Sequence, residues 1–291
     1  MSILITGSTG KIGSQVVSKL AGKGVQVRAM TRSPEKASFP AGIEAVKGDL
    51  LDTASVRSAL KGITTLFLLV PNAPDEITQA MNTVGLAHEA GVRGIVYLSV
   101  TRSDVFADVP HFASKHAVER MMAERGIGAT VLRPSYFIQN DMGQKDPMLG
   151  AGIYASPIGD KGVSMVDIDD IAEAAARELL HREQSTTPLP TEVYELVGPD
   201  ALTGDAVARI WTQALGREVK YGGNDLDAFE GKIGQFAPGW LAYDMRLMMH
   251  RYQTDGAAAS ADDIKRLTTL LGRAPRNYRE FATEMAKSWK V

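Results

Sequence analysis

The stretch Ser2-Ile3-Leu4-Ile5-Thr6-Gly7-Ser8-Thr9-Gly10-Lys11-Ile12-Gly13, running straight into Ser14-Gln15-Val16-Val17-Ser18-Lys19-Leu20, decides the fold. Its opening residues form a short apolar run with strand character, and its closing residues place apolar side chains at helical spacing. Three glycines stand between. Gly7 permits a tight exit from the strand, Gly10 lets backbone N–H groups approach a pyrophosphate, and Gly13 lets the helix pack on the sheet. A plain strand-turn-helix corner also uses glycine, so the three alone are weak evidence. Their position decides the matter, because a second strand at Val25 to Met30 completes the ~30-residue strand-helix-strand unit of a dinucleotide site. Ser8, Thr9, Lys11 and Ile12 fill the turn and join the glycines as cofactor-binding candidates.

Outward from this turn, the pattern predicts further strands at Ile43 to Lys47, Thr64 to Val70, Gly94 to Val100 and Gly128 to Arg133. Helices are predicted near 11–22, 53–61, 75–90 and 111–125. Strands that read as continuous Leu, Val and Ile are buried on both faces, as in a doubly wound parallel α/β sheet, with ligands at its carboxyl edge. Beyond residue 135 the segment 136–161 lacks a sustained period and reads as a long loop contributing to a second lobe. A helix at Asp167 to His181, with Asp167 as its cap, returns to the first domain. The remainder predicts strands at Val193 to Val197 and Glu218 to Tyr221, and helices at Thr203 to Leu215, 225–236, 238–253, 260–271 and 277–289. The expected division is a dinucleotide domain over 1–182 and a smaller, mostly helical substrate or partner lobe over 183–291.

Composition removes several alternatives. Over 291 residues, 32 Lys and Arg against 34 Asp and Glu leave no basic excess for a phosphate backbone, so nucleic acid is not expected as a direct partner. With no cysteine, a disulfide framework, a thiolate metal site and a cysteine nucleophile are all excluded. The longest apolar run, Leu66 to Val70, is too short to cross a bilayer, and the start has no basic leader; a cytoplasmic protein is expected.

The glycine spacing is Gly-x-x-Gly-x-x-Gly, which resembles the short-chain dehydrogenase/reductase superfamily, its extended and atypical branches above all. Where the second strand ends, an acidic residue would select a free ribose 2′-hydroxyl; here Met30-Thr31-Arg32-Ser33 offers a guanidinium suited to a 2′-phosphate. NADP(H) is therefore favoured over NAD(H), against the alternative of a solvated surface arginine, with Arg28 and Lys36 as secondary candidates. Gly48-Asp49-Leu50 closes the third strand, and the resemblance implies that Asp49 touches the adenine edge; Asp49 or Asp52 could instead cap the next helix. Val70 and Pro71 would pass beside the nicotinamide ribose, although Pro71 could simply stop the strand.

The superfamily carries Tyr-x-x-x-Lys on the helix after its fifth strand, whereas this chain has His111-Phe112-Ala113-Ser114-Lys115. His111 and Lys115 are helical neighbours on a stripe continuing through Val118 and Met122, with His116, Glu119 and Arg120 on the opposite face. A lysine on a buried stripe costs desolvation unless it has a partner, which a cofactor ribose or carboxamide would supply; the alternative is a lysine that snorkels to water. His111 is either the proton donor or the remnant of a lost tyrosine. Metal ligation by His111 with His116 is not expected, because five residues turn the two rings about 140° apart; no metal site is predicted.

Together with Val27 to Arg32, Gly48 to Leu50, Val131-Leu132-Arg133-Pro134-Ser135-Tyr136-Phe137, Asp169 to Ala172, Leu202 to Gly204 and Leu215 to Arg217, these motifs resemble the NmrA-like family of atypical short-chain reductases. The resemblance implies a Rossmann domain, a C-terminal substrate lobe, NADP(H) binding and Pro134 backbone contacts to the nicotinamide. It also implies two kinds of function. One is an NADPH-dependent reductase of a small apolar, aromatic or conjugated electrophile such as a quinone, enone, dye or phenylpropanoid. The other is a nonenzymatic NADP(H) sensor that acts through a protein partner. Tyr136 is the third catalytic candidate, as a hydroxyl for a carbonyl substrate, or else an aromatic that anchors its loop. An aromatic and Met-rich stretch from Phe229 to Tyr252 either lines an apolar pocket or packs as core or subunit contact, leaving a homo-oligomer open.

Overall fold

The computed structural model describes residues 2–289. In chain order its elements are β1 (Ser2–Ile5), α1 (Gly13–Leu20), β2 (Gln26–Thr31), β3 (Ile43–Lys47), α2 (Thr53–Ala59), β4 (Thr65–Leu68), α3 (Glu76–Glu89), β5 (Gly94–Leu98), α4 (Pro110–Glu124) and β6 (Ala129–Pro134). They continue with α5 (Lys145–Gly150), β7 (Ile153–Tyr154), α6 (Ile168–Gln184), β8 (Glu192–Leu196), α7 (Gly204–Leu215), β9 (Lys220–Tyr221), α8 (Leu226–Ile233), α9 (Gly239–Thr254), α10 (Ala261–Leu271) and α11 (Tyr278–Ser288).

Seven strands form one sheet in the order β3-β2-β1-β4-β5-β6-β8. The pairs from β3 across to β6 are parallel, with Ile3 opposite both Val27 and Thr65 in the registers that flank β1. Parallel neighbours need crossover helices, which cover both faces and demand apolar side chains on each. β1, β4 and β5 are accordingly buried at every position. The chain reverses direction across the sheet between β1 and β4, and the loops leaving those two strands diverge there.

The chain forms two compact units. The first comprises residues 1–103, 111–133 and 168–194, and the second comprises 104–110, 134–167 and 195–291. This corrects the simple division at 182/183. The chain passes between the units several times, and β8, expected in the lobe, is the seventh strand of the large sheet. Three acidic or basic side chains of α6 explain how that helix sits on the sheet: Glu183 accepts from the hydroxyls of Thr64 and Thr65, Glu178 accepts from Thr130 at 2.7 Å, and Arg182 donates to Thr130 at 2.6 Å and to the Pro190 carbonyl at 2.8 Å. All three side chains are buried.

The segment 136–161, expected as a loop, contains a 3-10 turn at Ile138–Gln144, then α5 and β7, which pairs with β9. Short elements of this kind carry too few turns for a periodic signal. In the second unit the aromatic stretch divides: Met248, Met249 and Tyr252 are buried, whereas Phe236, Trp240 and Tyr243 are exposed. No described helix is long and apolar enough to cross a membrane.

Candidate functional site

Two hydroxyls set the glycine turn in place. Thr6 Oγ1 donates to the Leu69 carbonyl and accepts from the Leu69 N–H, both at 2.8 Å, which ties the exit of β1 to that of β4. Ser8 Oγ donates to the Met30 carbonyl at 2.7 Å and ties the turn to β2. The Ser8 hydroxyl, expected among the cofactor contacts, is thus spent inside the protein. Gly7 adopts a φ of +60°, open to glycine at little cost. A Cβ on Gly13 would overlap the Gly7 carbonyl oxygen, so α1 approaches the turn as closely as it does only because residue 13 is glycine. α1 begins with no side-chain cap, which leaves the positive end of its dipole to an anion.

A groove of about 780 Å³ opens at the carboxyl edge of the sheet, where the loops after β1 and β4 part. Of the predicted residues, Gly7, Thr9, Gly10, Arg32, Asp49, Leu50 and Pro71 line it. Ile12, Gly13 and Val70 are buried and do not line it, and Lys11 is exposed in the turn just before α1. Arg32 follows β2 directly, and Lys36, on the 3-10 turn Pro34–Lys36, lines the same wall. Arg28 does not: its guanidinium pairs with Glu44 at 2.9 Å and donates to the Lys61 carbonyl at 2.6 Å. The two aspartates also separate. Asp52 caps α2 by accepting from the N–H groups of Ala54 and Ser55, whereas Asp49 lines the groove while accepting from Leu51 N–H at 3.0 Å.

These residues fit a dinucleotide carrying a 2′-phosphate. The uncapped helix and glycine turn suit the diphosphate, and Arg32 and Lys36 line the wall that follows β2, where a phosphate would meet their charge.

On α4, Lys115 is held differently from the expectation. Its Nζ donates to Glu76 Oε1 at 2.6 Å, with side chains 13% and 5% exposed, so the partner is a carboxylate of this chain. Glu76 is the first residue of α3, and its neighbours Asp75 and Gln79, joined by a 2.8 Å hydrogen bond, line the groove. Nothing in the local pattern marked Glu76, which lies 39 residues before its partner. The α4 stripe also needs correction: Phe112 is buried, and Glu119, expected on the outer face, is nearly buried. It accepts from Arg133 on β6 at 2.5 Å and from the Ser99 hydroxyl. Burial, followed by the charges of Glu76 and Glu119, pushes the Tyr97 phenol well above its ordinary range and keeps it neutral. His111 is half-buried in the first turn, its ring edge-on to Phe112 at 4.6 Å.

Pro134 and Tyr136 cluster with the second unit. There the carboxylate of Asp141, fully buried, accepts from Tyr154 at 2.9 Å, from Tyr278 and from Tyr136 at 3.4 Å. Trp211 Nε1 donates to the Tyr278 hydroxyl at 2.9 Å. Burial raises the Asp141 carboxyl, the hydrogen bonds from Tyr278, Tyr154 and Tyr136 lower it, and the balance is about 6. Desolvation also holds the Tyr136 phenol well above its usual value. The Tyr136 ring also sets its edge against Tyr252 at 6.3 Å.

A glycine-turn groove at the switch point of a doubly wound sheet defines a Rossmann-type dinucleotide-binding protein. More specifically, the chain belongs to the NmrA-like family, whose model matches residues 1–270. It is similar to an NAD(P)H azoreductase of Xenophilus azovorans, 29% identical over 295 residues that make up 99% of each chain. Quinone oxidoreductase 2 of Escherichia coli is 32% identical over 226 residues, 75% of this chain and 76% of that one. Among solved structures, an NADPH-dependent quinone oxidoreductase of Escherichia coli complexed with NADPH superposes with a TM-score of 0.86 at 27% identity, covering 97% of this chain and 99% of the other.

Proposed function

We propose that this protein is an NAD(P)H-dependent oxidoreductase that prefers NADPH and reduces a small, apolar, aromatic or conjugated electrophile of the quinone, azo-dye or enone class. The observation that carries the reading is the groove itself. It combines an uncapped helix behind a glycine turn with Arg32 and Lys36 on the wall where a 2′-phosphate would lie. The azoreductase and quinone oxidoreductase relatives support the substrate class.

When bound, the nicotinamide supplies the hydride. The chain supplies orientation and charge. Gly7, Gly10 and the first turn of α1 hold the diphosphate, Asp49 and Leu50 flank the adenine, and Pro71 flanks the nicotinamide end. Pro134 contributes a backbone contact to the nicotinamide, and Lys115 steadies the adjoining ribose. The proton that completes reduction comes from His111, Tyr136 or solvent.

The test is oxidation of NADPH and of NADH by the purified protein against a panel of one quinone, one azo dye and one conjugated enone, alongside a calorimetric titration with each dinucleotide. Turnover of at least one acceptor with NADPH in preference to NADH is expected. Tight NADPH binding without turnover of any acceptor would favour a dinucleotide sensor acting through a protein partner, and no binding of either dinucleotide would remove both readings.

A further inference from the structure

We infer that Glu76 is the positioning residue for Lys115, holding the lysine ammonium against the first turn of α3, beside the groove wall formed by Asp75 and Gln79, so that it meets a bound dinucleotide already in place. The inference rests on the dinucleotide reading of the groove.

The pair is nearly dry, with 13% and 5% of the two side chains exposed and 2.6 Å between Nζ and Oε1. Burying two charges costs desolvation that their attraction repays only in part, and such pairs are weak contributors to stability. Stability alone therefore does not account for a glutamate at this place. Position does. Glu76 opens α3 directly after the loop that leaves β4, and the residues on either side of it along the helix, Asp75 and Gln79, are groove wall. Gln79 donates to Asp75 at 2.8 Å, so the wall is braced there. Lys115 comes from a different element, α4, and an unanchored lysine carries large rotamer freedom that binding must remove. The carboxylate removes it beforehand. It also occupies one of the three ammonium donors, which leaves two for ribose hydroxyls of a dinucleotide.

The decisive measurement is a double-mutant cycle read as NADPH affinity by calorimetry, with Glu76→Gln, Lys115→Met and the double variant. Glu76→Gln should weaken NADPH binding about tenfold, the scale of ordering one long side chain. In the Lys115→Met background the same change should cost less than about twofold, because the residue through which it acts is gone. A loss of equal size in both backgrounds, or no loss in either, overturns the inference while leaving the dinucleotide reading intact. Failure of the unaltered protein to bind NADPH instead removes that reading, and the inference with it. Should Glu76→Gln not fold, the cycle is run with Glu76→Asp, which keeps the charge and withdraws it by one methylene. A second readout needs no variant: saturating NADPH should slow acylation of Lys115 by an amine reagent, followed by mass spectrometry, and equal rates with and without NADPH would count against the placement.

Discussion

Replacing Asp141 with Asn tests the buried phenol network of the second unit through its dependence on pH. Asp141 is completely buried, and its folded carboxyl is raised from 3.8 to about 6 by burial that outweighs three phenolic hydrogen bonds. The folded protein therefore holds this proton more tightly than the unfolded chain does. Stability associated with the protonated acid is fully present below about pH 4. It is lost as pH rises through the interval between the two values and reaches a plateau above about pH 6. A displacement of about two pH units at about 1.4 kcal/mol each gives a loss of about 3 kcal/mol by neutral pH.

Asn is close in shape to the neutral acid, retains an acceptor for Tyr154 or Tyr278, and cannot ionise. Urea unfolding of both proteins between about pH 4 and about pH 7.5 isolates the effect, since every other titrating group is common to the two. The stability of the wild type should fall by about 2 to 3 kcal/mol relative to Asp141→Asn across that range. Curves that stay parallel would refute the reasoning and mean that the hydrogen bonds from Tyr278, Tyr154 and Tyr136 hold Asp141 ionised throughout.

Three other substitutions address the groove. Arg32→Ala should weaken NADPH binding by roughly 1.5 to 3 kcal/mol, the worth of hydrogen bonds to a charged group, with little change for NADH; equal losses in paired titrations would remove the cofactor preference. Gly13→Ala should leave far-UV circular dichroism largely intact while weakening both dinucleotides, because the added methyl would displace the Gly7 carbonyl and with it the turn; unaltered affinity for both would show that the turn is not the diphosphate site. Lys115→Ala should reduce NADPH binding and turnover together, and steady-state kinetics unchanged in both respects would leave the lysine as no more than a partner for Glu76.

Much of the first unit was legible from one property, the burial of parallel strands on both faces. In the second unit the helices at 203–215 and 260–271 fell within a residue of their observed bounds, since each ends at a strong local signal: the Thr203 cap, the Ser260 capping box, and left-handed glycines at 216 and 272. What escaped depends on partners distant in sequence. β8 has the pattern of any half-exposed strand, and only its neighbours assign it to the large sheet. Glu119 obeys the periodicity of an outer face, yet Arg133 and Ser99 make its burial tolerable. Arg28 lies inside β2 and Arg32 just past it, and the contacts to Glu44 and the Lys61 carbonyl take the first out of contention.

The same dependence explains why the two ends of the groove differ in how readily they are recognised. On one side the lining comes from the first residues after β1, β2 and β3, where strand order alone brings Gly10, Arg32 and Asp49 to one edge. Lys115, by contrast, is held by a group that arrives from α3 through a contact across the fold. A Tyr-x-x-x-Lys helix places its two functional groups on one element. Here a histidine occupies the position one turn before the lysine, and the lysine's partner is a carboxylate on another helix. Orientation that the motif would encode locally is thereby moved into tertiary structure. A loop change near Pro71 or Ala73 that shifts α3 should therefore disturb Lys115 without altering a single residue of α4.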